Sequence, residues 1–327
     1  MERKSVTVRC PATTANLGSG FDCLGMALDI WNELTVSRSE KFEIVIEGEG
    51  ADVLPKDETN LVVTGIKTAF EAAKKPVPTL SYKLLNRIPF ARGLGSSSAA
   101  IVAGLIAGLV LAGHELPVTD SEQLLQLAAA IEGHPDNVAP AIYGGLQLGI
   151  HTSERWWTKS NLLLFFYFIF YILYFIFYDQ FDLKEENGLF VLLIFFFKKK
   201  GISVPSGLQT ILFVPDRTCE TSEARALLKP TIDRADAIYN MGRTALLVSA
   251  FSNDSLDDLR YATEDKLHQP ARSKLMPALY PLINAALNSG AHGAFLSGAG
   301  PTVLAITSGR KGDIYAQSGA ERKEVLI

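Results

Sequence analysis

Residues 89–100 read Pro-Phe-Ala-Arg-Gly-Leu-Gly-Ser-Ser-Ser-Ala-Ala. Gly93 and Gly95 open backbone conformations closed to bulkier residues, so successive N–H groups can converge on an anion. Ser96, Ser97 and Ser98 add hydroxyl donors, and a helix starting there turns its positive end toward the same point. Phosphate binding is the chemistry that fits. The stretch is not a Walker A loop, because no Gly-Lys-Ser/Thr follows the glycines, and it lacks the third glycine of a dinucleotide fingerprint. The competing reading is a Gly-Ser turn that only caps a helix.

The elements around this loop alternate between strand and helix patterns. Val6–Cys10 alternates as a strand, and Glu33–Val36, Phe42–Glu47 and Leu80–Leu85 read as further strands of one sheet. The run from Asn60 predicts a helix with Asn60 as N-cap, ended by Pro76 and Pro78. Ser98–Ala112 predicts an apolar helix whose small residues suit close packing in a core more than a membrane span. Ser121–Glu132 is amphipathic. Leu208–Val214 reads as a buried strand, followed by helices near 222–228, 232–251, 256–264 and 276–288. Ala294–Leu296 and Thr302–Thr307 read as strands around a Gly-rich turn. Without a repeated βαβ unit, the class is α+β, in two domains meeting near residues 150–205.

The chain has 327 residues, of which 48% are hydrophobic and 20% charged, which excludes overall disorder. A net charge of −4 offers no basic field for nucleic acid. Cys10, Cys23 and Cys219 are too few and scattered for a disulfide framework or a tetrahedral metal site, so a reducing compartment is expected. The N-terminus enters strand alternation at once, leaving no room for a signal or transit peptide and favouring the cytoplasm.

One segment departs from this pattern. Of the 31 aromatic residues, 15 lie between Phe165 and Phe197, and Leu162–Tyr178 is an unbroken apolar run of 17. That run only just reaches spanning length, its aromatics are not gathered at the ends, and it has neither helical nor strand periodicity. Three readings compete: translated non-coding sequence such as a retained intron, a membrane anchor, and a genuine insertion. The division is therefore 1–155, an atypical hydrophobic insertion at 156–200, and 201–327. The last ends inside what reads as the start of a helix, which predicts a truncated C-terminal domain.

The loop resembles the ATP-binding motif of the GHMP small-molecule kinases. Pro11-Ala-Thr-Thr-Ala-Asn-Leu-Gly-Ser-Gly-Phe-Asp22 is similar to the N-terminal motif of the homoserine kinases within that superfamily, and Ser297-Gly-Ala-Gly-Pro-Thr302 to its C-terminal Gly-rich motif. His134-Pro-Asp-Asn-Val-Ala-Pro-Ala-Ile-Tyr-Gly-Gly145 is a fourth ordered match. The resemblance covers residues 5–150 and 203–323 and omits the aromatic segment. It implies an N-terminal domain like ribosomal protein S5 domain 2, a ferredoxin-like C-terminal domain, and ATP-dependent phosphorylation of the side-chain hydroxyl of L-homoserine. Another GHMP kinase, or an inactive, misfolded or membrane-attached relative, is the alternative. The partners implied are ATP and L-homoserine, with a homodimer left open and a membrane only if 162–178 is a span.

Residue by residue, the resemblance implies that Pro89, Arg92, Gly93, Leu94 and Gly95, with Ser96, Ser97 and Ser98, hold ATP. Glu132, with Ser98 as second ligand, would hold Mg²⁺, a cation that takes hard oxygens; a solvated helix-end glutamate is the ordinary alternative. Asn137 stands where relatives such as mevalonate kinase carry a catalytic aspartate. An amide cannot take a proton at neutral pH, so it would only orient the substrate hydroxyl. His134 and Gly298 fall near the substrate; a core or loop histidine is the ordinary alternative for His134. Arg225 and Arg272 match two arginines that clamp a carboxylate, a task suited to guanidinium forks. Thr221 adds a hydroxyl, and Asp22 with Asn16 matches the acceptors of the ammonium. Surface salt bridges are the ordinary alternative for the two arginines.

Overall fold

The structure is a computed structural model and describes residues 3–114, 122–159, 204–205 and 207–308. The 162–178 run, most of the aromatic segment and the chain after Ser308 lie outside the described residues. β1 (Ser5–Ala15) and β2 (Leu24–Arg38) pair antiparallel along nearly their whole length, and the loop between them carries the Asn16–Asp22 motif. β3 (Glu43–Gly48) runs parallel to β4 (Leu80–Asn86), while β5 (Leu146–His151) and β6 (Trp156–Lys159) extend the other edge. These six strands form one sheet in the order β3-β4-β2-β5-β6, with β1 also on β2. A second sheet contains β7 (Leu208–Phe213), β9 (Val303–Ser308) and β8 (Gly293–Leu296), all antiparallel with β9 in the middle. The α+β expectation holds.

α1 (Leu61–Ala72) is capped as its sequence requires: Asn60 Oδ1 accepts from Val62 N at 3.0 Å. α2 (Ser96–Leu111) lies against α1 and is apolar on every side because it is buried on every side, with Ile101, Leu105 and Leu109 at most 2% exposed. It is a core helix. No helix of the described residues is long and apolar enough to cross a membrane. α3 (Glu122–Glu132) and α4 (Pro135–Tyr143) are separated by a tight turn at Gly133 and His134, which brings the end of one helix beside the start of the other.

The second half adds α5 (Thr221–Ala226), α6 (Arg234–Ser252), a 3₁₀ turn at Leu256–Asp258 running into α7 (Leu259–Ala262), α8 (Gln269–Arg272) and α9 (Leu279–Asn288). The segment expected as one helix over 256–264 is thus a 3₁₀ turn followed by a short α-helix. The main hydrophobic core runs from Val8 and Leu34 through Leu105 and Leu124 to Phe251, Phe295 and Ile306, so it ties both sheets together. A smaller cluster of Leu279, Ile283, Leu296 and Val303 holds α9 on β8 and β9.

Candidate active site

The loop before α2 has the geometry its glycines allow. Gly93 and Gly95 sit at φ 74° and 67°, the left-handed region that a side chain strains. Gly95 is the N-cap of α2 and no side chain caps that helix, so its first-turn N–H groups face outward for an anion. Arg92 is turned elsewhere. Its Nε donates to Pro215 O at 2.9 Å and its Nη2 to Asp216 O at 3.0 Å, which fastens the loop to the chain after β7. Ser297 Oγ donates to Gly93 O at 2.6 Å from the other side.

Glu132, at the end of α3, accepts from Ser97 Oγ at 3.0 Å and from Ser98 Oγ at 2.9 Å, both on Oε1. Two hydroxyls and a carboxylate gathered beside a helix N-terminus are the hard-oxygen donors a divalent cation takes alongside phosphate and water. The donor set fits Mg²⁺. Among the described residues no group of three His, Cys, Asp or Glu clusters for a metal, so phosphate oxygens would have to complete the shell.

Asn137 lies in the first turn of α4 and accepts from Thr13 Oγ at 2.7 Å. His134, the N-cap of that helix, forms a short contact from Nδ1 to Asp136, whose carboxylate is buried. Burial pulls the imidazole toward neutrality, but the Asp136 bond and the Asp136 and Glu132 charges outweigh it and leave its pKa raised.

Across the cleft from the Gly93–Ser98 loop, Asp22 and Arg225 form a bidentate pair. That pair holds the Arg225 pKa above its ordinary value. Arg272 is buried. It donates from Nη1 to Gly298 O at 3.0 Å and to His268 Nδ1 at 3.2 Å, while its Nε has no hydrogen-bond partner. Burial, then the nearby Arg225 charge, lowers its pKa. Asn16 donates to the same Gly298 carbonyl at 2.9 Å and accepts from Asp22 N at 2.9 Å, which fixes the Asp22 backbone.

One cleft therefore gathers Asn16, Asp22, Gly93, Leu94, Gly95, Ser96 and Ser97 with Glu132, His134, Asn137, Thr221, Arg225, Arg272 and Gly298. Ser98 stands behind it through Glu132, and Pro89 is half-buried outside its lining. A cavity of about 560 Å³ opens at the other end of α2, lined by Arg3, Arg38, Lys75 and His114. Lys75 Nζ is spent on Ala112 O at 2.6 Å and Arg38 Nη2 on Leu111 O at 3.2 Å, so these cations terminate the helix.

Some site residues escape a reading of single motifs. Phe21 has its ring centroid 5.2 Å from that of His268, and the guanidinium carbons of Arg225 and Arg272 lie 5.7 and 5.3 Å from it. His268 donates from Nε2 to Gly18 O at 2.8 Å and accepts at Nδ1 from Arg272, which requires the neutral ring. Burial lowers its pKa accordingly. Cys219 also lines the cleft, and burial raises its thiol pKa.

Known proteins match along most of this chain. Residues 60–145 match the GHMP kinases N terminal domain and residues 247–320 the GHMP kinases C terminal domain. A homoserine kinase of Desulfitobacterium hafniense is 38% identical over 313 residues, which is 96% of this chain and 91% of that protein. One of Synechocystis sp. is 38% identical over 306 residues, 92% of this chain and 86% of that protein. The crystal structure of a homoserine kinase from Cytophaga hutchinsonii superposes with a TM-score of 0.73 at 27% identity, covering 95% of this chain and 87% of that one.

Proposed function

The chain belongs to the GHMP kinase family, in its homoserine kinase branch, and from that premise we propose that it transfers the γ-phosphoryl group of ATP to the side-chain hydroxyl of L-homoserine. One observation carries this reading: a phosphate loop and an amino-acid-sized set of opposite charges, Asp22 against Arg225 and Arg272, line the same cleft. The loop amides take the triphosphate. The Arg225 and Arg272 guanidinium groups take the carboxylate, and Asp22 with Asn16 takes the ammonium.

Phosphoryl transfer asks mainly for alignment and charge neutralisation. The homoserine hydroxyl oxygen attacks the γ-phosphorus, the bond to the β–γ bridging oxygen breaks, and its electron pair stays on ADP. Asn137 orients the hydroxyl without accepting its proton, which leaves late in the transfer to solvent. Glu132 with Ser98 would hold Mg²⁺, which supplies positive charge to the triphosphate when bound. Three free thiols suit a reducing compartment, which supports a cytoplasmic setting.

The test is ADP release with a panel of small alcohols. Homoserine is expected to give the highest kcat/KM. Faster turnover with mevalonate, galactose or shikimate would overturn the substrate assignment, and no turnover with any of them would mark the chain as an inactive relative.

A further inference from the structure

Thr13 is fully buried on β1 and carries no charge, yet three elements of the site meet at this residue. Its Oγ donates to Asn137 Oδ1 at 2.7 Å, and its backbone N–H donates to Leu94 O at 3.1 Å. Gly95 closes over the pair: a Cβ added there would lie 1.9 Å from Thr13 Oγ and 3.2 Å from Asn137 Oδ1. A methyl group at position 95 would push into the hydroxyl that the amide depends on.

An amide has an acceptor end and a donor end on one planar group. With Oδ1 held by Thr13, the Asn137 NH₂ is turned away from Thr13 and left to serve the cleft that Asn137 lines. We propose that Thr13 is a positioning residue for phosphoryl transfer. It fixes the Asn137 amide so that its NH₂ donates to the acceptor hydroxyl oxygen. The inference rests on the kinase reading of the cleft. One oxygen lone pair of the substrate then faces Asn137 and another is free to attack phosphorus. The new O–P bond forms as the β–γ bridge breaks, ADP keeps the bridging electron pair, and the hydroxyl proton goes to solvent. Because Thr13 also bonds Leu94, the amide is held in register with the loop that carries the phosphates.

The experiment compares Thr13→Val, which keeps the shape and loses the donor, with Thr13→Ser, which keeps the donor. Thr13→Val is expected to lower kcat about three- to tenfold, the worth of one neutral hydrogen bond. The KM for homoserine and the Kd for ATP should move by less than about twofold, and Thr13→Ser should restore kcat. In an Asn137→Ala background Thr13→Val should cost nothing more, since its effect runs through that amide. Wild-type kcat in Thr13→Val, a Thr13→Ser as slow as the valine variant, or additive losses would each overturn the proposal.

Should Thr13→Val fail to fold, the unaltered protein labelled with ¹⁵N-asparagine decides. The side-chain NH₂ signal that disappears in Asn137→Ala should shift on adding homoserine, and an unmoved signal would refute the donor role. If the wild type phosphorylates some other alcohol, the substrate assignment fails separately and the same comparisons are made with that alcohol.

Discussion

Asp22 accepts both terminal nitrogens of Arg225, Oδ2 from Nη1 at 2.9 Å and Oδ1 from Nη2 at 2.7 Å, across 203 residues of sequence. An amino-acid zwitterion carries the complementary charges, an ammonium for Asp22 and a carboxylate for Arg225. In the proposed binding mode, substrate exchanges this internal pair for two intermolecular ones. The exchange is inexpensive because both side chains are more than a third exposed, 39% and 34%, where ion pairs contribute little net stability.

Asp22→Asn should blunt recognition of the ammonium. Wild-type enzyme is expected to prefer homoserine over 4-hydroxybutyrate, which lacks the amino group, by about ten- to hundredfold in kcat/KM, the range of a hydrogen bond to a charged group. In Asp22→Asn that preference should shrink toward unity. Steady-state kinetics on both alcohols checks it, and an undiminished preference would remove Asp22 from the ammonium site.

Arg272→Ala should raise the KM for homoserine roughly 30- to 900-fold, because a clamped carboxylate loses a desolvated partner. The residue is 3% exposed, with His268 and Gly298 fixing its fork. Arg272→Lys should not rescue, since an ammonium cannot reproduce the planar geometry. ATP affinity, measured by titration in the absence of homoserine, should stay near wild type. A KM unchanged in Arg272→Ala would mean the guanidinium serves only the fold.

The parts legible in sequence are those whose cause is local. The glycine spacing at 93 and 95, the Asn60 cap and the small residues of α2 each impose a backbone or packing requirement within a few positions, and the structure meets each one. The cleft contacts depend on residues far apart in the chain. No spacing rule pairs Asp22 with Arg225, sends Arg92 to Pro215 and Asp216, or sets Thr13 under Gly95. α8 is a single turn whose order comes from Asp265 capping His268 N and Gln269 N. His268 is a further case of a contact set by distance in the chain. Its role depends on Gly18, 250 residues away.

Gly104→Ala should destabilise the fold by roughly 1–3 kcal/mol, the range for overpacking a tight core. A Cβ at 104 would stand 2.4 Å from Val62 O, a backbone atom of α1 that cannot rotate aside. The better helix propensity of alanine offsets about 1 kcal/mol at most. Urea unfolding measures the difference. Stability equal to wild type would show that α1 and α2 can separate at no cost.

Two histidines should give the stability profile opposite slopes on either side of about pH 6.5, the ordinary imidazole value. His268 has its pKa lowered by burial. Below about 6.5 the unfolded chain therefore takes up a proton that the folded one refuses, and stability falls as the solution is acidified. His134 ends with its pKa raised, burial being outweighed by Asp136 and Glu132. Its contribution is complete below about 6.5 and is lost as pH climbs through the raised folded value, where the folded chain still holds a proton the unfolded one has released. Asp136→Asn should flatten the alkaline side alone, and His268→Gln the acidic side alone, in urea midpoints taken from about pH 5 to about pH 9. The slope is the quantity to compare, since either substitution lowers the whole curve by removing a buried bond. An Asp136→Asn profile parallel to wild type above about pH 6.5 would show that the carboxylate is not what holds the His134 proton.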